Sequence, residues 1–233
     1  MRRSRWISIL LMLVLTGVLA LPANAQANAC EAELPDDASS DDYLERAEAC
    51  FAMVGRLARI EPEVALRLTL NSVNEALALD PANAEAYALR GRIRTGTGAR
   101  GQAIADFTIA LYLSPDESEY YLGRALAMQS VGDDAGALAD YDAAVTLSPQ
   151  EPDALLYRGL FRYQREAWDA ALADFEQMLG IDPDNADAYE YVGHSHYELG
   201  QMDEALAAYQ RHLEVAVNRS PLVNARVLLL ERE

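Results

Sequence analysis

With 233 residues, 51% of them hydrophobic and 24% charged, the chain has the balance of a folded protein and not of a disordered one. Its formal charge is −18 and all 19 basic residues are arginine, a surface that repels phosphate backbones and disfavours nucleic acid as a partner. Alanine and leucine dominate and no stretch alternates with period two, which predicts an all-α fold.

Residues 1–25 read as a secretion signal. Arg2, Arg3 and Arg5 supply the positive region, Trp6 to Leu21 an uncharged apolar run, and Pro22 precedes the small-x-small site Ala23-Asn24-Ala25. The competing reading is an uncleaved membrane anchor, for which a run of 16 residues is short. Export to a periplasm or the cell exterior is therefore expected, with a mature chain more acidic by three charges and no membrane span.

Residues 26–40 are acidic, rich in Ala, Ser and Asp, and read as a flexible tail. The two cysteines, Cys30 and Cys50, form an even set in an exported chain, which points to a disulfide closing a loop worth about 3 kcal/mol. Lipidation of Cys30 is the alternative, against which Ala27 stands where a lipobox carries Leu or Val, well beyond the apolar run. Next comes a helical hairpin over 41–83: a helix from Asp41 to Arg59, a break at Pro62, and a second helix from Glu63 to Leu79.

From Ala84 the sequence repeats every 34 residues, in units 84–117, 118–151, 152–185 and 186–219. Position 8 is small (Gly91, Ala125, Gly159, Gly193), as is position 20 (Ala103, Ala137, Ala171, Ala205), so two helices can approach closely. Position 24 supplies a ring (Phe107, Tyr141, Phe175, Tyr209), and position 32 a helix-stopping proline (Pro115, Pro149, Pro183) until Val217. Gly98, Gly132 and Gly200 mark the inter-helix turn at position 15, with Glu166 the exception. These columns resemble the tetratricopeptide repeat, and the resemblance implies a helix–turn–helix solenoid winding as a right-handed superhelix. The usual tryptophan of position 4 is replaced by Tyr87, Tyr121, Leu155 and Tyr189. Residues 41–83 then read as a degenerate first unit, in which Val73, Ala76 and Pro81 keep their columns and Leu57 and Thr69 replace the small residues. Ser220 and Pro221 can start a capping helix over 220–233, unusually apolar for an end: either a partial next helix folded onto the last unit or a docking surface.

Two columns vary together. Position 7 reads Arg90, Arg124, Arg158 and Val192; position 23 reads Asp106, Asp140, Asp174 and Ala208. The charges occur together three times and vanish together once, which predicts interhelical pairs of structural character, with coincidence in an Arg- and Asp-rich chain as the alternative.

The resemblance implies that the first helix of each unit lines a groove. On this chain that assigns Arg92, Leu122, Leu126, Leu156, Leu160, Tyr163, Glu190, His194 and Tyr197 to partner binding, with an acidic rim of Glu85, Glu119, Asp153 and Asp187. A basic amphipathic segment suits such a groove, whereas the acidic tails that some family members grip through Lys and Asn do not, because lysine is absent. Chemistry is not in view. Gly96 to Gly101 lacks the strand and the Lys-Ser/Thr of a phosphate loop, His194 and His196 lie two apart on a helix, and His196 and His212 sit at packing columns. No cofactor, metal or catalytic residue is expected. A non-enzymatic binding scaffold is the leading expectation; self-association through the final helix, or use of the groove as a small-ligand or enzymatic pocket, are the alternatives.

Overall fold

The computed structural model describes residue 30 and residues 32–54, 62–216 and 220–231. Residues 1–25, expected to be a secretion signal, lie outside them. The described residues form eleven helices and no strand: α1 (Ser40–Met53), α2 (Pro62–Leu79), α3 (Ala84–Thr97), α4 (Arg100–Leu113), α5 (Ser118–Val131), α6 (Asp134–Leu147), α7 (Pro152–Gln164), α8 (Trp168–Ile181), α9 (Ala186–Glu198), α10 (Met202–Val215) and α11 (Pro221–Leu230). The fold is an all-α, helix–turn–helix repeat solenoid.

Local sequence sets the helix ends. Asn83 and Asn185 accept hydrogen bonds from the backbone N–H groups of Ala86 and Ala188, satisfying donors that the first turn leaves open. Gly98 and Gly132 close α3 and α5 in the left-handed region, at φ 87° and 84°. Glu166 adopts φ 60° at the equivalent place, so the turn geometry persists where its glycine does not. Helix α1 begins behind a capping box of Ser39 and Asp42 and stops at Met53, short of the expected Arg59: β-branched Val54 turns extended just before Gly55.

The chain divides into two compact units, Met1–Asp140 and Tyr141–Glu233. In the first, the disulfide between Cys30 and Cys50 ties the expected tail into a core with Leu44, Phe51, Val73 and Leu89. Arg46 adds a bond to the Ala32 carbonyl at 3.5 Å and another to Ser72 Oγ at 2.9 Å. Phe107 is 1% exposed and fills the space against Gly91, where an added Cβ would lie 2.9 Å from its ring. In the second unit, Phe175 abuts Gly159 and Tyr209 abuts Gly193, with added Cβ atoms at 2.6 and 2.5 Å. The glycines thus admit the ring itself, and each ring buried this way contributes about 1.5–3 kcal/mol. At the end of that unit, Val223 and Val227 of α11 pack on Ala205 and Tyr209 of α10.

Candidate interaction surfaces

Three hairpins carry a buried aspartate. Asp106 is 2% exposed and held by Arg90 Nη2 at 2.9 Å and Arg94 Nη1 at 2.6 Å. Asp174, equally buried, is held by Arg158 Nη2 at 2.6 Å and Arg162 Nη1 at 2.9 Å. Asp140 has one arginine, Arg124, which donates through Nε at 2.7 Å and Nη2 at 2.9 Å. Hydrogen bonding to Asp140 holds the Arg124 guanidinium above its ordinary pKa against burial. Each position-7 arginine also reaches back 16 residues: Arg90 to Asn74, Arg124 to Thr108 and Arg158 to Asp142. One planar fork therefore closes its own hairpin and joins it to the preceding helix, a geometry arginine offers and lysine does not. These are structural clamps. In the fourth hairpin, Val192 and Ala208 are buried in their place.

Of the residues expected to bind a partner, Arg92, Leu122 and Leu126 come together in the first unit. They line a pocket with Ala88, Phe107, Glu119, Tyr120 and Gly123, enclosing about 390 Å³ that includes open solvent. Arg92 Nε is buried there with no hydrogen-bond partner. Glu119 is the acid that lines this pocket, and Glu48 and Glu85 act on its surroundings electrostatically. Burial raises the Glu48 carboxyl above its usual range, and Glu85 and Glu119 add to the shift while Arg92 opposes it. Burial likewise pushes the Tyr120 hydroxyl up to about 12, with Glu85, Glu117 and Glu119 contributing. A site in which carboxylates disfavour one another is stabilised by an arriving cation.

The remaining expected binding residues lie in the second unit. Leu156 and Leu160 are half-buried on α7, and Tyr163 Oη donates to Glu198 Oε1 at 3.3 Å. Helix α11 engages the others. Its Arg226 lies 4.2 Å above the Tyr197 ring, 4.0 Å from Glu198, and donates from Nη1 to Tyr209 Oη at 2.9 Å. Its N-cap Ser220 donates to Glu190 Oε1 at 3.0 Å. His194, placed by its column on an open face, is 8% exposed and bonded through Nδ1 to Tyr209 Oη at 2.8 Å. His196, expected at a buried packing column, is instead half-buried and bonded to Gln201 Oε1 at 2.6 Å. His212 is 2% exposed, its Nδ1 donating to the Ala186 carbonyl at 2.8 Å. Of the acidic rim, Glu85, Glu119 and Asp187 are exposed and Asp153 is half-buried. Among the described residues no three His, Cys, Asp or Glu side chains converge as a metal site, and no helix is long and apolar enough to cross a membrane.

Sequence reasoning missed Arg226 and Glu48, and weighed Glu198 only as a metal partner of His194 and His196, not as the partner of Tyr163 and Arg226. Arg226 falls on position 7 when the numbering is extended from Ser220, a signal that was available.

Two tetratricopeptide-repeat family profiles match the chain, over residues 123–191 and 162–226. No curated protein matches it. Among solved structures, YrrB, described as a tetratricopeptide-repeat protein with an unusual peptide-binding site, is 19% identical, with 91% of this chain and all of that one covered at a TM-score of 0.61. A MamA structure is 22% identical over 65% of this chain and 89% of its own, at a TM-score of 0.60. A Parabacteroides merdae tetratricopeptide-repeat protein is 23% identical over 82% and 72%, at 0.63. At these identities the likeness shows the shared fold.

Proposed function

We propose that this chain, a tetratricopeptide-repeat protein over residues 123–226, is a non-enzymatic scaffold that holds a basic, amphipathic protein segment against the pocket of its first unit. The observation that carries the reading is the meeting of Arg92, Leu122 and Leu126 in one pocket lined by Glu119, with Glu48 and Glu85 close enough to act on one another electrostatically. Apolar anchors entering beside Leu126 and Tyr120 would lose water-exposed area at roughly 25 cal/mol per Å². Arginine or lysine flanking them would relieve the repulsion among the carboxylates, with affinity that weakens as salt rises. The leader read in residues 1–25 supports a site of action outside the cytoplasm, and assembly of the cell envelope is the role proposed for it there. Cross-linking of the exported full-length protein tests the reading. A partner recovered by the wild type should be lost from Leu126→Ala and from Glu119→Lys at unchanged helicity. Retention by both variants overturns the reading.

A second reading is self-association through α11, favoured by Leu222, Leu228 and Leu229, which are 52%, 59% and 51% exposed. Light scattering separates the two: a concentration-dependent mass, abolished by Leu228→Glu, favours assembly.

A further inference from the structure

We propose that His194 latches helix α11 onto the last hairpin and releases it on acidification. Hydrogen-bond direction carries the argument. A guanidinium can only donate, so Tyr209 Oη accepts from Arg226 Nη1. With the Glu190 carboxylate facing Nε2, the phenol's own proton is assigned to His194 Nδ1, 2.8 Å away, as the unprotonated nitrogen. The ring's single proton therefore sits on Nε2, facing Glu190 Oε1 at 3.5 Å. Ser220 at the start of α11 donates to the same carboxylate oxygen. Two of the polar attachments of α11, through Ser220 and through Arg226, thus converge on one neutral imidazole.

The charged and titratable groups facing this imidazole are Glu190, Tyr191 and Glu198 from α9, Tyr209 from α10 and Arg226 from α11. Burial, then Arg226, hold its pKa below the ordinary value against the pull of Glu190 and Glu198. A proton added at Nδ1 removes the acceptor that Tyr209 uses and points a second cationic donor at an oxygen already bonded to Arg226. When α11 leaves, the imidazole regains water and loses Arg226, so the undocked form binds the proton more readily. Docking is accordingly intact above the ordinary histidine value of about 6.5 and weakens as pH falls through and below it. Release frees Tyr197, Glu198 and Glu190 of their cover, so acid uncovers the face that α11 occupies.

Hydrogen exchange of the full-length protein at about pH 8 and about pH 5, corrected for intrinsic chemistry, reads the latch, with α10 as internal reference. Protection of α11 should fall relative to α10 in acid, by about tenfold for each pKa unit by which docking shifts His194. His194→Gln, whose amide oxygen can still accept from Tyr209, should keep α11 docked at both values. Arg226→Gln should loosen α11 at both, and an NMR titration of His194 in that variant should move up toward the ordinary value. If His194→Gln does not fold, the titration in the wild type and Arg226→Gln decides alone. Equal change in α10 and α11, pH dependence that persists in His194→Gln, or a His194 titration unmoved by Arg226→Gln would each overturn the latch.

Discussion

The third and fourth hairpins, α7–α8 and α9–α10, share a length, a turn and a glycine pressed against a ring, yet they anchor their polar groups in different places. In the third, Arg158 and Arg162 converge on Asp174 between the helices. In the fourth, Val192 and Ala208 make that position apolar, and the polar contacts move to the edge, where His194, Tyr209 and Arg226 meet. One repeat framework therefore tolerates an ionic or an apolar interior. The apolar version leaves its polar anchoring to the helix that follows.

If the clamp matters through buried charge, its strength should follow how many arginines each aspartate keeps. Arg124→Leu strips Asp140 of its arginine and should cost about 3–5 kcal/mol in urea unfolding. Arg158→Leu leaves Asp174 with Arg162 and should cost about 1.5–3 kcal/mol, the worth of hydrogen bonds to a charged group. A double-mutant cycle on Arg124→Leu and Asp140→Leu should show strong coupling; additivity would leave the clamp without energetic content, and equal losses at Arg124 and Arg158 would show that the number of arginines does not matter.

The shared part of the two hairpins gives a smaller and more uniform effect. Gly159→Ala and Gly193→Ala each drive a methyl into a buried ring and should lose about 1–3 kcal/mol, alike in both hairpins. Thermal unfolding that separates them widely would mean that the ionic interior also stiffens the glycine contact. The smallest effect belongs to the turns. Glu166→Gly relieves a left-handed residue and should gain up to about 1 kcal/mol, whereas Gly200→Ala at φ 76° should lose a similar amount, both read by Tm.

What the sequence disclosed depended on periodicity. Arg90, Arg124 and Arg158 were legible as partners of Asp106, Asp140 and Asp174 because the two columns change together. The second arginines were not, since position 11 reads Arg94, Met128, Arg162 and His196 and follows no pattern. Glu48 was invisible for another reason: it lies in a hairpin too degenerate for its register to predict a neighbour of Arg92. His194 shows the limit of column logic, because a groove position became buried once Arg226 bonded the Tyr209 hydroxyl beside it.

The bonds of the ionic clamp join residues 12, 16 or 20 positions apart, and the disulfide spans 20. Loop-closure entropy grows with the logarithm of length, so loops of this size carry a modest closing cost. Folding can then begin at any hairpin and spread to its neighbours, at the high rates typical of low contact order. A lesion in one hairpin would slow that step and leave the others free to form. The arginine fork that reaches forward and back by 16 residues means that each closed hairpin presents the next with a partner already in place.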